Sequence, residues 1–290
     1  MTLAGRSMLK QRIITAVVLL AILLPALFWP SAAPFAAIAL VLIAAGAWEW
    51  ARLNGFGQAA SLLTAALCLA LCGASWYAGL LERPLPLVWS IAGALWVLVG
   101  AWLLRAGVAG WSGNARALRL AGGVLALWLA WLAVAQARVI GINFLLSILV
   151  LVWVADIFAY VAGRTFGLKF TRNKLAPAIS PGKSWEGVWG GMAGVLVLAL
   201  AWTAADRAWQ AAVPSLYTRL AGTSWWLLVL AALFLAAMSV VGDLVESLVK
   251  RSAGAKDSSK LLPGHGGVLD RVDALLPTLP LAMMLTSLVT

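Results

Sequence analysis

Ile142-Asn-Phe-Leu-Leu-Ser-Ile-Leu-Val-Leu-Val-Trp-Val-Ala-Asp156-Ile-Phe-Ala-Tyr160-Val-Ala-Gly163 is the stretch that decides the class of fold. About 20 apolar residues in helical conformation cross the ~30 Å of hydrocarbon in a bilayer, and this run carries one charge. That charge, Asp156, needs a partner or a cation, because an ionised group at the centre of a membrane helix costs roughly 2.5–3.5 kcal/mol on insertion scales. Asp156, Tyr160 and Gly163 are spaced i, i+4, i+7 and so share one helix face.

Outward from this run the pattern repeats. Apolar windows predict spans at roughly 13–29, 34–51, 60–80, 85–104, 118–136, 142–163, 186–204, 225–247 and 272–290. With 63% apolar and 11% charged residues, the 290-residue chain reads as an all-α polytopic membrane protein of about nine transmembrane helices, with nothing left for a soluble domain. The first span is expected to be a retained helix, because Pro25-Ala-Leu-Phe-Trp-Pro30 is a poor small-residue cleavage site. Placing the connections on alternate sides puts 17 of the 21 Lys and Arg on one side and 4 on the other. By the positive-inside rule the N-terminus is then cytoplasmic and the C-terminus outside.

Ten of the basic residues lie in just two connections, 164–183 and 250–271. The net charge of +11 therefore points to anionic headgroups or substrates, and no basic-aromatic stripe or zinc-finger spacing supports nucleic acid. Cys68 and Cys72, one turn apart inside a span, are expected to pack rather than to pair or bind metal. Residues 1–140 read as scaffold helices and 141–290 as the catalytic part with its two basic cytoplasmic loops. In the first part Glu49 is expected to snorkel to the cytoplasmic surface.

Three groups carry the chemistry. Asp156 with Tyr160 and Gly163 is the first. The second is the loop Lys169 to Gly187, where Lys174, Ser180, Lys183, Ser184 and backbone N–H groups at a helix start form an anion site, with Ser184 or Ser180 as cap and Glu186 in the first turn. In the third, Asp243, Glu246, Ser247 and Lys250 form a polar stripe at i, i+3, i+4, i+7. Gly264-His265-Gly266-Gly267 then lets backbone N–H groups approach an anion, and Asp270 and Asp273 open the last span facing one way. Carboxylates facing lysines across a glycine-rich turn suit Mg²⁺ and phosphate together.

Ser247-x-Val-Lys250-Arg251-x4-Lys256-Asp257-x-Ser259-x2-Leu262-Pro263-x-His265-Gly-Gly-Val-x-Asp270-Arg271-Val-Asp273 resembles the C-terminal signature of the phosphatidate cytidylyltransferases. The segment from Asp156 to Gly187 is similar to the one that precedes it in that family, and the likeness covers about 150 residues. It implies nucleotidyl transfer from CTP to phosphatidic acid, by a homodimer in a membrane that the compact chain suggests is the bacterial inner membrane. The roles implied are catalysis by Asp243, Ser247, Lys250 and Asp270, and cation binding by Asp243 and Asp270, then Asp273 and Asp156. One or two cations are implied: Mg²⁺ and, where there is a second, K⁺ or another Mg²⁺. Arg251, Lys256, His265, Gly266, Gly267 and Arg271 join the loop residues in binding substrate. His265 is expected to donate to phosphate or fix the turn rather than act as a base, since a phosphate monoester with a second pKa near 6 is already largely dianionic at neutral pH.

Overall fold

The computed structural model describes residues 3–289, with side chains from residue 10. The side chain of Arg6 and the last expected span residue, Thr290, lie outside the described residues. The long helices are α1 (Leu3–Phe28), α2 (Ala33–Leu53), α3 (Gln58–Tyr77), α4 (Pro86–Gly113), α5 (Arg116–Ile140), α6 (Ile142–Phe166), α7 (Trp185–Ala208) and α9 (Trp225–Ser252). Shorter elements are β1 (Lys174–Ala176) and β2 (Ser180–Ser184), α8 (Leu216–Thr223), α10 (Leu269–Val272) and α11 (Leu275–Ser287). Among the described residues eight helices are long and apolar enough to span a membrane, and the protein is an all-α polytopic membrane protein.

The ninth expected span is not one continuous helix but is divided into α10 and α11. α11 has 13 residues, a rise of about 20 Å that falls short of the hydrocarbon thickness. Hydropathy continues through residues 272–290, but Pro277 has no N–H to return to the Asp273 carbonyl, so the helix is interrupted between α10 and α11. That carbonyl instead lies against Gly242 of α9, where an added Cβ would sit 2.5 Å from it. α11 is nevertheless central: Leu279, Leu281 and Ala282 are buried, and it packs on α4, α5 and α9. The first of the two basic loops, 164–183, also holds more order than a turn, because β1 and β2 pair antiparallel.

α6 and α7 make the closest pairing. Gly187, Gly190, Gly191 and Gly194 of α7 face Ala155, Phe158, Ala159 and Ala162 of α6, and any added Cβ would lie within 3.0 Å of α6 atoms. Small residues at this seam let the backbones approach, as membrane helices need when the surrounding lipid offers no hydrophobic drive. α1 leans on α2 and is exposed along most of its length.

The two ends of the bundle differ. At one, the Asp206 carboxylate accepts from Asn143 Nδ2 at 2.8 Å, Ser215 N at 2.8 Å and Thr218 Oγ1 at 2.6 Å, which closes the α7–α8 connection. At the other, Arg12 Nε donates to the Gly264 carbonyl, Trp50 Nε1 to the Arg119 carbonyl and Arg251 Nε to the Ile179 carbonyl. The N-terminal segment and the connections near 105–119, 164–183 and 250–271 therefore gather at one basic end. Cys68 and Cys72 are free and buried.

Candidate active site

Two lysine–carboxylate clusters, set along the last three turns of α9, form the site. Asp243, Glu246, Ser247 and Lys250 occupy its lower face as the spacing requires, with about 10 Å of helix between the first and the last. Lys183 Nζ, brought in by β2, lies 2.6 Å from Asp243 Oδ2. Ser247 Oγ donates to Asp243 Oδ1 at 3.3 Å. This pair opens onto a cavity of about 380 Å³ whose wall includes Asp156, Tyr160, Gly163, Gly182 and Ser184. The i, i+4, i+7 face of α6 thus looks into the same space as the start of α7. Asp156 takes no ion pair from Arg164, whose Nη1 donates instead to Tyr160 Oη at 2.7 Å.

Ser184 is the N-cap of α7, its Oγ accepting from Gly187 N at 3.2 Å. Ser180 lies in β2 and does not cap. Glu186 folds back over the loop, its Oε1 accepting from Phe170 N, Thr171 N and Thr171 Oγ1. Lys174 Nζ donates to the Pro181 carbonyl at 2.7 Å, which stitches the hairpin across its turn.

The second cluster is drier. Lys250 Nζ lies 2.6 Å from Asp270 Oδ1 and 2.5 Å from Glu246 Oε2, with the three side chains only 12%, 7% and 3% exposed. Asp270 Oδ2 accepts from Gly267 N, Ser258 N and Ser258 Oγ at 2.7–2.9 Å. Burial alone would raise the Asp270 pKa, but Lys250 and these donors outweigh it and hold the carboxyl down at about 2. Asp270 is therefore an anion throughout the neutral range. Gly266 sits at φ +85°, and a Cβ there would lie 2.7 Å from Asp270 Oδ2. Both the turn and the carboxylate's approach to it need glycine at this position.

Glu49 is the residue that sequence reasoning missed. It does not snorkel: it is fully buried. Its Oε1 accepts from Ser259 Oγ at 2.5 Å and Val268 N at 2.9 Å, and its Oε2 from Leu269 N at 2.8 Å and Ser258 Oγ at 3.3 Å. Three donors, with the Ser258 hydroxyl shared between Glu49 and Asp270, satisfy a carboxylate that would otherwise be driven to water. They also tie α2 to both ends of the loop that carries Gly264–Gly267. A carboxylate set between Trp48 and Trp50 is the sequence signal that was available.

The remaining expected residues divide. Arg251 Nε and Nη1 donate to the Ile179 and Ala255 carbonyls, and Arg271 donates through Nε and Nη2 to the His265 carbonyl. Both arginines thus shape the loop. The His265 backbone N–H closes the turn onto the Leu262 carbonyl, while its ring Nδ1 is buried with no hydrogen-bond partner among the described residues. Lys256 is exposed.

A cation fits part of the expected ligand set. Asp156, Asp243 and Asp273 stand close enough to repel one another, an arrangement that a cation relieves. Asp270 fits less well, since protein donors already engage both its oxygens. No group of three or more His, Cys, Asp or Glu forms a ready cage among the described residues. Mg²⁺ does not need one, because it is usually held by one or two carboxylates plus substrate phosphates.

A membrane-helix bundle with paired lysines and carboxylates at one end defines an integral membrane protein equipped to handle polyanions. The sequence model of the Cytidylyltransferase family matches residues 10–289, and the chain belongs to that family. It is 44% identical to the phosphatidate cytidylyltransferase of Pseudomonas aeruginosa, over 94% of this chain and 95% of that protein. The phosphatidate cytidylyltransferase of Haemophilus influenzae is 34% identical, over 94% of this chain and 96% of its own. That of Brucella abortus is 38% identical, over 93% and 90%.

Proposed function

We propose that this chain transfers the cytidylyl group of CTP to phosphatidic acid, giving CDP-diacylglycerol and pyrophosphate, at the cytoplasmic face of a bacterial inner membrane. The observation that carries this reading is the pair of lysine–carboxylate clusters, Lys183–Asp243 and Lys250–Asp270–Glu246, at the basic end of a bundle whose whole length matches the family. The 17:4 distribution of basic residues supports a cytoplasmic site.

A phosphate oxygen of phosphatidic acid attacks the α-phosphorus of CTP. The bond from that phosphorus to the bridging oxygen breaks, and the electron pair leaves with pyrophosphate. No proton has to be removed from the nucleophile, since a phosphate monoester with a second pKa near 6 is already largely dianionic at neutral pH. Both reactants are polyanions, so positioning and charge neutralisation dominate the barrier. Lys183 and Lys250 supply positive charge, while Ser247 and the N–H groups of Gly264 and Gly266 supply hydrogen-bond donors. Mg²⁺ bound by Asp243 with Asp273 and Asp156 would neutralise the triphosphate.

CTP labelled in the α or the γ phosphate, given with phosphatidic acid and Mg²⁺ to the purified protein, tests the reaction. Lipid labelled from the α position alone, with pyrophosphate released, is expected; lipid labelled from the γ position would make the protein a kinase. Asp243→Asn should lower turnover at least ~100-fold, the scale of losing one preorganised electrostatic group. Full activity of that variant at saturating Mg²⁺ would remove Asp243 from the site.

A further inference from the structure

A second cavity, of about 490 Å³, lies on the opposite side of α9 from the Lys183–Asp243 pocket. α4 and α5 follow one another in the chain but hardly touch, and the gap between them is backed by α9 and α11. Its walls are apolar, and its outer lips, including Val99, Trp102, Leu118 and Leu125, are exposed in the span region. The cavity therefore opens sideways into lipid. Along α5 it runs from Arg119 to Leu129, a length of about 15 Å that equals the hydrocarbon depth of one leaflet.

The end nearest the basic face is polar and incomplete. α4 turns at Gly107, whose φ of 68° and ψ of −168° suit glycine, and the turn carries Trp111 against Trp50 with ring centroids 5.7 Å apart. Trp111 is 6% exposed, and its Nε1 has no hydrogen-bond partner among the described residues. Arg119, whose guanidinium stacks 5.9 Å from the Trp111 ring, likewise leaves Nε buried and unpartnered. Two unsatisfied donors, one of them cationic, thus meet at the mouth of an apolar slot one leaflet deep. Buried donors are rarely left unpaired, and the complementary group is an anionic acceptor.

We propose that this cleft holds a bilayer phospholipid as a resident ligand, one acyl chain lying between α4 and α5 and the headgroup phosphate accepting from Arg119 and Trp111. The lipid is distinct from the one that reacts. Gly242 and Val245 of α9 face the cleft, whereas Val240 and Asp243 face the other pocket, so the body of α9 stands between the two, and Glu246, paired with Lys250, closes the inner end of the cleft.

The full chain, delipidated in detergent and titrated with dioleoylphosphatidylglycerol under native mass spectrometry, should retain one lipid. Dioleoylglycerol, which lacks the phosphate, should bind at least tenfold more weakly. A Cβ at Gly122 meets nothing within 4 Å, so Gly122→Phe projects a ring into the cleft and should abolish retention, while Gly122→Ala keeps it. Arg119→Gln should weaken it about tenfold. Ala126→Phe is the second filling variant should Gly122→Phe not fold, with helical content checked by circular dichroism. Retention unchanged in a folded filling variant, or equal binding of dioleoylglycerol, overturns the proposal. So does a retained phosphatidic acid that is consumed from the cleft when CTP and Mg²⁺ are added, since the cleft would then be the substrate's.

Discussion

Lys250→Met is expected to abolish transfer, by ~10²–10³-fold or more, and to lower the melting temperature in detergent sharply. The ammonium is the sole cation found within 4 Å of Glu246 or Asp270 among the described residues, and all three side chains are nearly buried. Methionine keeps the length and apolar stem of lysine, so packing is retained while two carboxylates are left facing each other with no counter-charge. Removing one partner of a buried ion pair typically costs about 3–5 kcal/mol. Lys183→Met is the control. Its pair with Asp243 is 26% and 33% exposed, and such half-solvated pairs contribute on the order of 0–1 kcal/mol. Activity should therefore fall in both variants and stability in Lys250→Met alone. Equal melting temperatures for the two would show that the second cluster does not hold the fold.

Glu49→Gln should reduce kcat about 100-fold, the scale on which a misplacement of ~1 Å acts. Glutamine has nearly the same shape but keeps one acceptor oxygen and replaces the other with an NH₂ donor. Whichever way the amide turns, a backbone N–H meets a donor instead of an acceptor, because each carboxylate oxygen accepts from one. A buried donor left unsatisfied costs about 1–3 kcal/mol. Glu49 lies against Gly267 of the glycine-rich turn and holds both ends of its loop, so its effect passes through that loop. Amide hydrogen exchange at Val268 and Leu269 should accelerate in the variant. A fall in activity with protection unchanged at those two amides would assign Glu49 some other role.

The long helices were legible because a membrane span must be continuously apolar, a demand that hydropathy reads directly. The Asp156–Tyr160–Gly163 face, the α9 stripe and the Ser184 cap follow from helical spacing and local chemistry, and the structure places all three as expected. The break before α11 was hidden because Pro277 acts through a single absent hydrogen bond inside an apolar run. Glu49 was hidden for a different reason: two of its donors are backbone N–H groups, identical in every residue type but proline, and all four lie more than 200 positions away. The family resemblance implies Asp270 as a cation ligand, and the sequence could not reveal that Ser258, Gly267 and Lys250 also donate to its oxygens.

Distance along the chain also sets the order in which the protein is made. Glu49 is synthesised 209 residues before Ser258 and 220 before Leu269, an interval of roughly 10–40 s at ~5–20 residues per second. Through most of that interval α2 is in the membrane with its carboxylate waiting, and the α1 contacts to Pro263 and Gly264 wait with it. The loop at residues 258–269 thus finds its partners only after the eight long helices have been made. A nascent chain stalled before residue 269 holds the eight long helices but not the donors that Glu49 needs, so the loop can close only once that residue has been made.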